Sequence, residues 1–210
     1  MNLSMGKTAR LLGAGLRALI VLTVVTGVVY PLVITGIAQG LFADKANGSK
    51  ITADGRVVGS ALIGQQDYAL DYFQSRPANG LSTNTVNKQY KLLVSGATNL
   101  AADSPKLVAS VEQAKAKVVR DNSTPGYKVR PSQVPADAVT SSGSGLDPDI
   151  SPAYARLQVH RVADRNHLSP AQVEKLVEEH TSGRTLGFIG EPRVNVLRLN
   201  VAVRELAGKS

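Results

Sequence analysis

The residue types that most often do chemistry are sparse in this chain and poorly spaced for it. There are three histidines, His160, His167 and His180, and no cysteine. Separations of 7 and 13 residues between the histidines fit no zinc signature, so a metal site would need carboxylates brought in from elsewhere. Gly6-Lys7-Thr8 imitates the end of a phosphate-binding loop, but the glycine that such a loop requires five positions earlier is Met1, with no strand before it. Gly143-Ser144-Gly145 lacks the spacing of a nucleophile elbow and reads as flexible linker. Asp147 and Asp149 offer a hard cation too few oxygens, and they read instead as negative charge at a helix start. No catalytic residue and no metal ligand is assigned, which favours a subunit over an enzyme.

The elements that would carry any site are an anchor and one domain. The chain has 210 residues, 43% hydrophobic and 19% charged, enough for a single core. Residues 18–41 contain no Asp, Glu, Lys, Arg or His. As a helix this run is about 36 Å long, enough to cross a hydrocarbon core of about 30 Å. A secretory leader is the competing reading, with Gly36-Ile37-Ala38 or Ala38-Gln39-Gly40 imitating a cleavage site, but leaders use apolar runs of only about 7–15 residues. The expected organisation is a short cytoplasmic tail over 1–17, a transmembrane helix over 18–41 and an extracytoplasmic soluble domain over 42–210. The fold class expected is a single N-terminal transmembrane helix followed by one small α/β (α+β) domain.

Orientation rests on a near tie: Lys7, Arg10 and Arg17 precede the span and Lys45, Lys50 and Arg56 follow it. The N-terminal amine and Arg17, which abuts the helix, tip the balance towards a cytoplasmic N-terminus. The formal net charge of +8 includes three cations on the tail. The remaining cations form no stripe interleaved with aromatics, and with aromatics at 4% and no Trp there is little to stack bases on, so nucleic acid is not an expected partner.

Inside the span, Pro31 removes a backbone donor and kinks the helix, while Gly27, Gly36 and Gly40 leave flat patches on it. Gly36-x-x-x-Gly40 allows close approach of a second membrane helix, so Gly27, Pro31, Gly36 and Gly40 are the candidate docking residues; a lipid-facing tether is the plain alternative. Beyond the span, Asp54-Gly55 between two β-prone runs predicts a hairpin, and Tyr68, Tyr72 and Phe73 a packing cluster. Residues 75–103 read as a long polar loop, and 121–148 as irregular. Ser104-Pro105, Ser151-Pro152 and Ser169-Pro170 are three cap signals, opening helices that run to Asn122, to about Arg165 and to Gly183; Gln172 completes a capping box, and Leu168 is placed to staple onto Val173. Period leaves 194–206 open between strand and helix.

On Gly59-Ser60-Ala61-Leu62-Ile63-Gly64-Gln65 followed by Tyr72-Phe73-Gln74-Ser75-Arg76-Pro77, the chain resembles the KdpC family, the small subunits of the bacterial Kdp potassium-transporting ATPase. The resemblance continues through Ser95-Gly96-Ala97-Thr98-Asn99-Leu100, the block from Thr140 to Ser151, Arg161-Val162-Ala163, and Gly187-Phe188-Ile189-Gly190-Glu191-Pro192-Arg193-Val194-Asn195-Val196-Leu197. It implies an inner-membrane complex in which one partner conducts potassium and another, a P-type ATPase subunit, hydrolyses ATP through an aspartyl phosphate. This chain has no Asp-Lys-Thr-Gly-Thr loop, so the resemblance implies a non-catalytic accessory subunit, described for the family as a catalytic chaperone that raises the ATP affinity of the pump subunit.

The family's Ser-Gly-Gly-Ser-Asn stretch has been likened to a nucleotide-sensing signature and here reads Ser95-Gly96-Ala97-Thr98-Asn99, with Ala97 replacing a glycine that would let backbone approach a phosphate. The resemblance thus makes Gln65, Ser95, Gly96 and Asn99 the candidate ATP contacts, with ATP the only cofactor and reached through the complex. The plain reading makes this stretch a structured loop facing the potassium-conducting subunit. A different class of function, a free-standing membrane-tethered hydrolase or binding protein, would purify alone and have its own ligand.

Overall fold

The computed structural model describes residues 5–85 and 93–208, and divides the chain at Ser49 and Lys50 into two units. The first is the apolar helix. Helix α1 (Met5–Val24) runs through a π-helical turn (Val25–Val29) into α2 (Tyr30–Leu41), and a single turn, α3 (Ala43–Ala46), follows. The span Gly6–Leu41 is 36 residues long with a mean hydropathy of 2.3 over its most apolar stretch. Residues 5–17, read from sequence as a tail, therefore continue the helix.

The distortion expected at Pro31 takes the form of that π turn. Proline has no N–H for the carbonyl of Gly27, four residues back, and its ring crowds that oxygen. Widening the preceding turn relieves the clash: Tyr30 N–H reaches back to the Val25 carbonyl, and the Thr26 hydroxyl donates to the Leu22 carbonyl at 2.7 Å.

The second unit opens with the expected hairpin, β1 (Lys50–Ala53) antiparallel to β2 (Arg56–Ser60). Asp54 and Gly55 have φ of 49° and 72°, and positive φ at both central residues is what a type I′ turn demands. The expected polar loop over 75–103 includes residues 86–92, which lie outside the described residues; among the described ones β3 (Ser82–Thr83) pairs with β4 (Leu93–Val94). Helix α4 (Pro105–Asn122) begins at the expected proline, although Ser104 makes no side-chain cap. Only its C-terminal end is buried, at Val118 and Asn122, while Val108 in its first turn is exposed.

Two 3₁₀ turns, Pro131–Gln133 and Ala136–Ala138, give the irregular segment its shape, and β5 (Asp149–Ile150) leads into α5 (Pro152–Asn166), the central helix of the core. Ser151 caps α5 by accepting from Tyr154 N–H at 3.0 Å, and Asp137 in turn holds both the amide and the hydroxyl of Ser151, at 2.8 and 2.9 Å. The carboxylate serving this helix start is thus Asp137, and not Asp147 or Asp149 as the sequence suggests.

Helix α5 ends in a Schellman motif, with His167 in the left-handed region at φ 56° and Leu168 N–H returning to the Ala163 carbonyl at 3.0 Å. A side chain there costs energy that glycine avoids. We expect His167→Gly to stabilise the domain by about 0.5–1 kcal/mol and to raise Tm by roughly 1–4 °C, read by circular dichroism in detergent. An unchanged or lowered Tm would show that the imidazole contributes more than its backbone strain costs.

Helix α6 (Pro170–Glu179) carries the expected capping box, Ser169 with Gln172, but stops four residues before Gly183 because Thr181–Ser182 leave as strand β6. The open question at 194–206 resolves as both alternatives in succession: β7 (Arg193–Asn195), then α7 (Val196–Leu206), with Asn195 capping by accepting from Arg198 N–H. Strands β5, β7 and β6 form an antiparallel sheet in that order. The core gathers Phe73 with Val162, Val173, Val177, Val194, Leu199 and Val203 between this sheet and helices α5, α6 and α7.

Candidate functional site: a loop cluster on a buried polar spine

Residues 70–74 lie outside any helix or sheet, a turn over 70–72 followed by irregular backbone, so apart from the Tyr72 N–H, which bonds the Ala69 carbonyl, their backbone groups need partners from elsewhere. Buried polar side chains supply them. Asn200 on α7 accepts from Phe73 N–H at 2.8 Å and donates to the Phe73 carbonyl at 3.0 Å. Gln158 on α5 does the same for Gln74, at 2.7 and 3.2 Å. Asn166 donates to the Asp71 carbonyl at 2.7 Å. Between these lies Arg161, 2% exposed, whose guanidinium donates to the carbonyls of Leu70 and Tyr72 and to the side-chain oxygens of Asn122 and Gln158. Burial pushes its pKa down to about 10, yet it remains charged at neutral pH, solvated by four neutral oxygens in place of a carboxylate.

This spine presents a cluster of loops centred on residues 142–147. The nearly buried Ser142 hydroxyl accepts from the amides of Ser144 and Gly145, and the Ser144 hydroxyl accepts from Leu146 N–H and donates to Asp147. The segment expected to be flexible linker is therefore a rigid hub, its small residues serving tight internal hydrogen bonding. Arg76 pairs with Asp147 at 2.8 Å, and Ser142 N–H donates to the Pro77 carbonyl. Gly64 N–H donates to the Leu146 carbonyl at 2.8 Å, while Gly96 N–H and the Ser95 hydroxyl both donate to the Ser144 carbonyl, at 3.1 and 2.8 Å. Asn195 ties the Ala61 carbonyl to Asp149, whose other oxygen pairs with Arg193 at 3.2 Å. Asp147 and Asp149 are thus spent on different arginines.

Of the candidate contacts, Ser95 and Gly96 lie on the hub, with amide and hydroxyl turned onto Ser144. Gln65 is held at the end of β2, donating to the Val58 carbonyl at 2.9 Å and accepting from the Tyr68 hydroxyl at 3.4 Å. Asn99 is exposed, in the left-handed region at φ 50°. The histidines have local roles: His160 stacks on Tyr127 with ring centroids 3.8 Å apart, His167 ends α5, and His180 bonds the Leu176 carbonyl. Among the described residues no three His, Asp or Glu side chains gather as a metal site.

Beside the spine a cleft of about 650 Å³ opens between residues 66–79, the α4 face of Ser110, Ala114 and Lys117, and Tyr154, whose hydroxyl burial pushes up to about 12. Sequence reasoning missed Gln158, Asn166 and Asn200 entirely. Their signal was present as amide side chains at positions that the helical period assigns to the apolar face, Gln158 with Val162, and Asn200 with Val196 and Val203.

The loops that meet at the hub are the blocks 59–65, 72–77, 95–100 and 140–151, whose order along the chain carries the family resemblance. Residues 12–205 match the family described as KdpC, the c chain of the K+-transporting ATPase. The chain belongs to the KdpC family. A relative from Streptomyces avermitilis named potassium-transporting ATPase KdpC subunit is 65% identical, with all of both chains covered. One of the same name from Streptomyces coelicolor is 66% identical over 98% of this chain and 97% of its own length. A Mycobacterium tuberculosis relative is 46% identical over 91% and 96%. Full-length coverage means that the family likeness spans the apolar helix and the domain together.

Proposed function

We propose that the chain is the non-catalytic accessory subunit of an ATP-driven, high-affinity potassium uptake complex, assembled with a potassium-conducting subunit and a P-type ATPase subunit. The N-terminus is cytoplasmic, residues 18–41 cross the inner membrane, and the domain from residue 42 lies on the extracytoplasmic side. In this reading the chain holds no cofactor of its own and ATP is bound by the ATPase subunit. Its chaperone-like effect on ATP affinity is then linkage: favouring one conformation of the pump raises affinity for every ligand that prefers that conformation.

The observation that supports the indirect reading is the engagement of Ser95 and Gly96 with the Ser144 carbonyl, which occupies the would-be phosphate-binding hydroxyl and amide. Protease added to intact spheroplasts is the test. Cleavage within the domain from outside supports this arrangement; protection until the membrane is opened, with cleavage thereafter, would restore direct ATP contact and sink it.

The anchor contributes by docking. A Cβ built on Gly27, Gly36 or Gly40 meets nothing within 4 Å, so the chain's own packing does not require these glycines. Two of them lie one turn apart on a face that another helix can approach closely. We expect Gly36→Leu with Gly40→Leu to abolish co-purification of the two larger subunits in mild detergent and, with it, potassium-stimulated ATPase activity. An intact complex from the double variant would return the span to a plain tether.

A further inference from the structure

The ribbon between β6 and β7 ends in an apolar tip that packs on nothing in its own domain. Leu186, Phe188 and Ile189 are 79%, 71% and 50% exposed, and residues 185–190 carry no charge. An exposed apolar cluster of this kind marks an interaction surface. Its backbone is largely self-satisfied: Thr185 and Ile189 exchange hydrogen bonds at 2.9 Å, and the amides of Gly187 and Phe188 donate to the carbonyls of Arg184 and Thr185. The left-handed residues Leu186, Gly187 and Gly190 close this turn upon itself. Four of the six amides in 185–190 are satisfied within the turn, which lowers the cost of entering a medium with fewer hydrogen-bond partners than water.

Charge is confined to the base of the ribbon. Arg184 pairs with Glu191 at 2.8 Å, Arg193, opposite Ser182 on the ribbon, pairs with Asp149 at 3.2 Å, and Arg198 is exposed. An apolar tip on an ion-paired, polar base matches the layering of acyl chains and headgroups. The membrane is also close at hand along the chain: the apolar helix ends at Leu41 and the domain begins at Lys50, leaving eight residues between them. Even fully extended, that linker reaches no more than about 28 Å.

We propose that the loop 184–191 inserts Leu186, Phe188 and Ile189 into the interfacial region of the bilayer that the chain's own helix spans, as a second membrane attachment. The proposal rests on the transmembrane span and not on which face of the membrane carries the domain.

The chain has no tryptophan, so Phe188→Trp introduces a single indole at the tip. The full chain carrying it, alone, is reconstituted into phosphatidylcholine and phosphatidylglycerol vesicles with and without brominated phosphatidylcholine. Blue-shifted emission, loss of most of that emission to brominated lipid and protection from aqueous iodide are expected. Leu186→Trp supplies a second reporter should the first variant fold poorly, and Val108→Trp on the exposed face of α4 should remain open to iodide. Emission at the tip that iodide quenches and brominated lipid does not would overturn the proposal. So would shielding that appears only after the larger pump subunits are added, which would assign the tip to a protein partner. Equal lipid quenching at 108 and 188 would overturn it too, since the whole domain and not this loop would then lie against the membrane.

Discussion

Arg161→Met should destabilise the domain by about 3–5 kcal/mol, the net of several buried acceptors left unpaired. The replacement keeps much of the volume and removes every donor. The Leu70 and Tyr72 carbonyls and the Asn122 side-chain oxygen then lose this partner in the interior, at about 1–3 kcal/mol for each group left unsatisfied, while the Gln158 oxygen keeps the Gln74 amide. Release of the buried charge offsets part of that loss, so the net is smaller than the sum. Thermal unfolding in detergent should fall by roughly 6–20 °C. Arg161→Lys should recover little, because an ammonium cannot span oxygens set around a planar fork. A midpoint for Arg161→Met within two or so degrees of the parent would mean that the spine carries little energy.

The pH dependence has a definite sign. The folded pKa of about 10 lies below the ordinary arginine value, so between the two the unfolded chain binds more protons and Arg161's contribution to stability rises with pH. Near neutrality the group is charged in both states and contributes no slope.

Gly64→Ala should be nearly as damaging for a different reason. A Cβ there would lie 2.8 Å from the Asp147 carbonyl carbon and closer still to its oxygen, and a backbone carbonyl cannot swing aside as a side-chain tip can. The strap from β2 must lift off the hub, losing the hydrogen bond from Gly64 to Leu146 and straining the Arg76 pair with Asp147. About 1–3 kcal/mol is the usual cost of such overpacking. Hydrogen exchange at Gly64, Leu146 and Gly96 should accelerate well beyond that in α5, because the damage is local to the loop cluster. Gly80→Ala, which would bring a Cβ within 2.6 Å of Ala97 Cα, should loosen the 95–97 strap in the same way. Gly126→Ala, with open space around it, is the control and should change Tm by less than about 2 °C. Uniform exchange in Gly64→Ala would show that the loops are not fastened as a unit.

The hub explains why the chain offers so little catalytic signal while its recognisable blocks are rich in Gly, Ser, Asn and Asp. Those residues are small or bond to backbone, which is what stacking several loops without a sheet requires. The two carboxylates of Asp147 and Asp149 illustrate the ambiguity. From sequence they stand just ahead of a cap serine and invite a helix-dipole reading, whereas in space they are turned to Arg76 and to Arg193, 71 and 44 positions away along the chain.

Local chemistry was enough for some elements. Charge-free length makes residues 18–41 an apolar helix long enough to cross a membrane, since a helix satisfies its backbone within its own segment. Asp54-Gly55 supplies the two positive φ values of its turn, and the Ser-Pro pairs open α4, α5 and α6 because the missing proline amide, joined at Ser151 and Ser169 by a cap oxygen, acts within four residues. Where the determining partner lies far along the chain, only the tertiary structure decided the outcome. It ended α6 early by drawing Thr181 onto β7, and it divided 193–206 between strand and helix. It changed 143–145 from linker to part of a hub. It also placed Arg161, Gln158 and Asn200 around a segment more than 80 residues away along the chain. The apolar membrane helix can be read from sequence because its solvent imposes one rule on every residue; the hub cannot, because each of its bonds depends on where a different loop comes to rest.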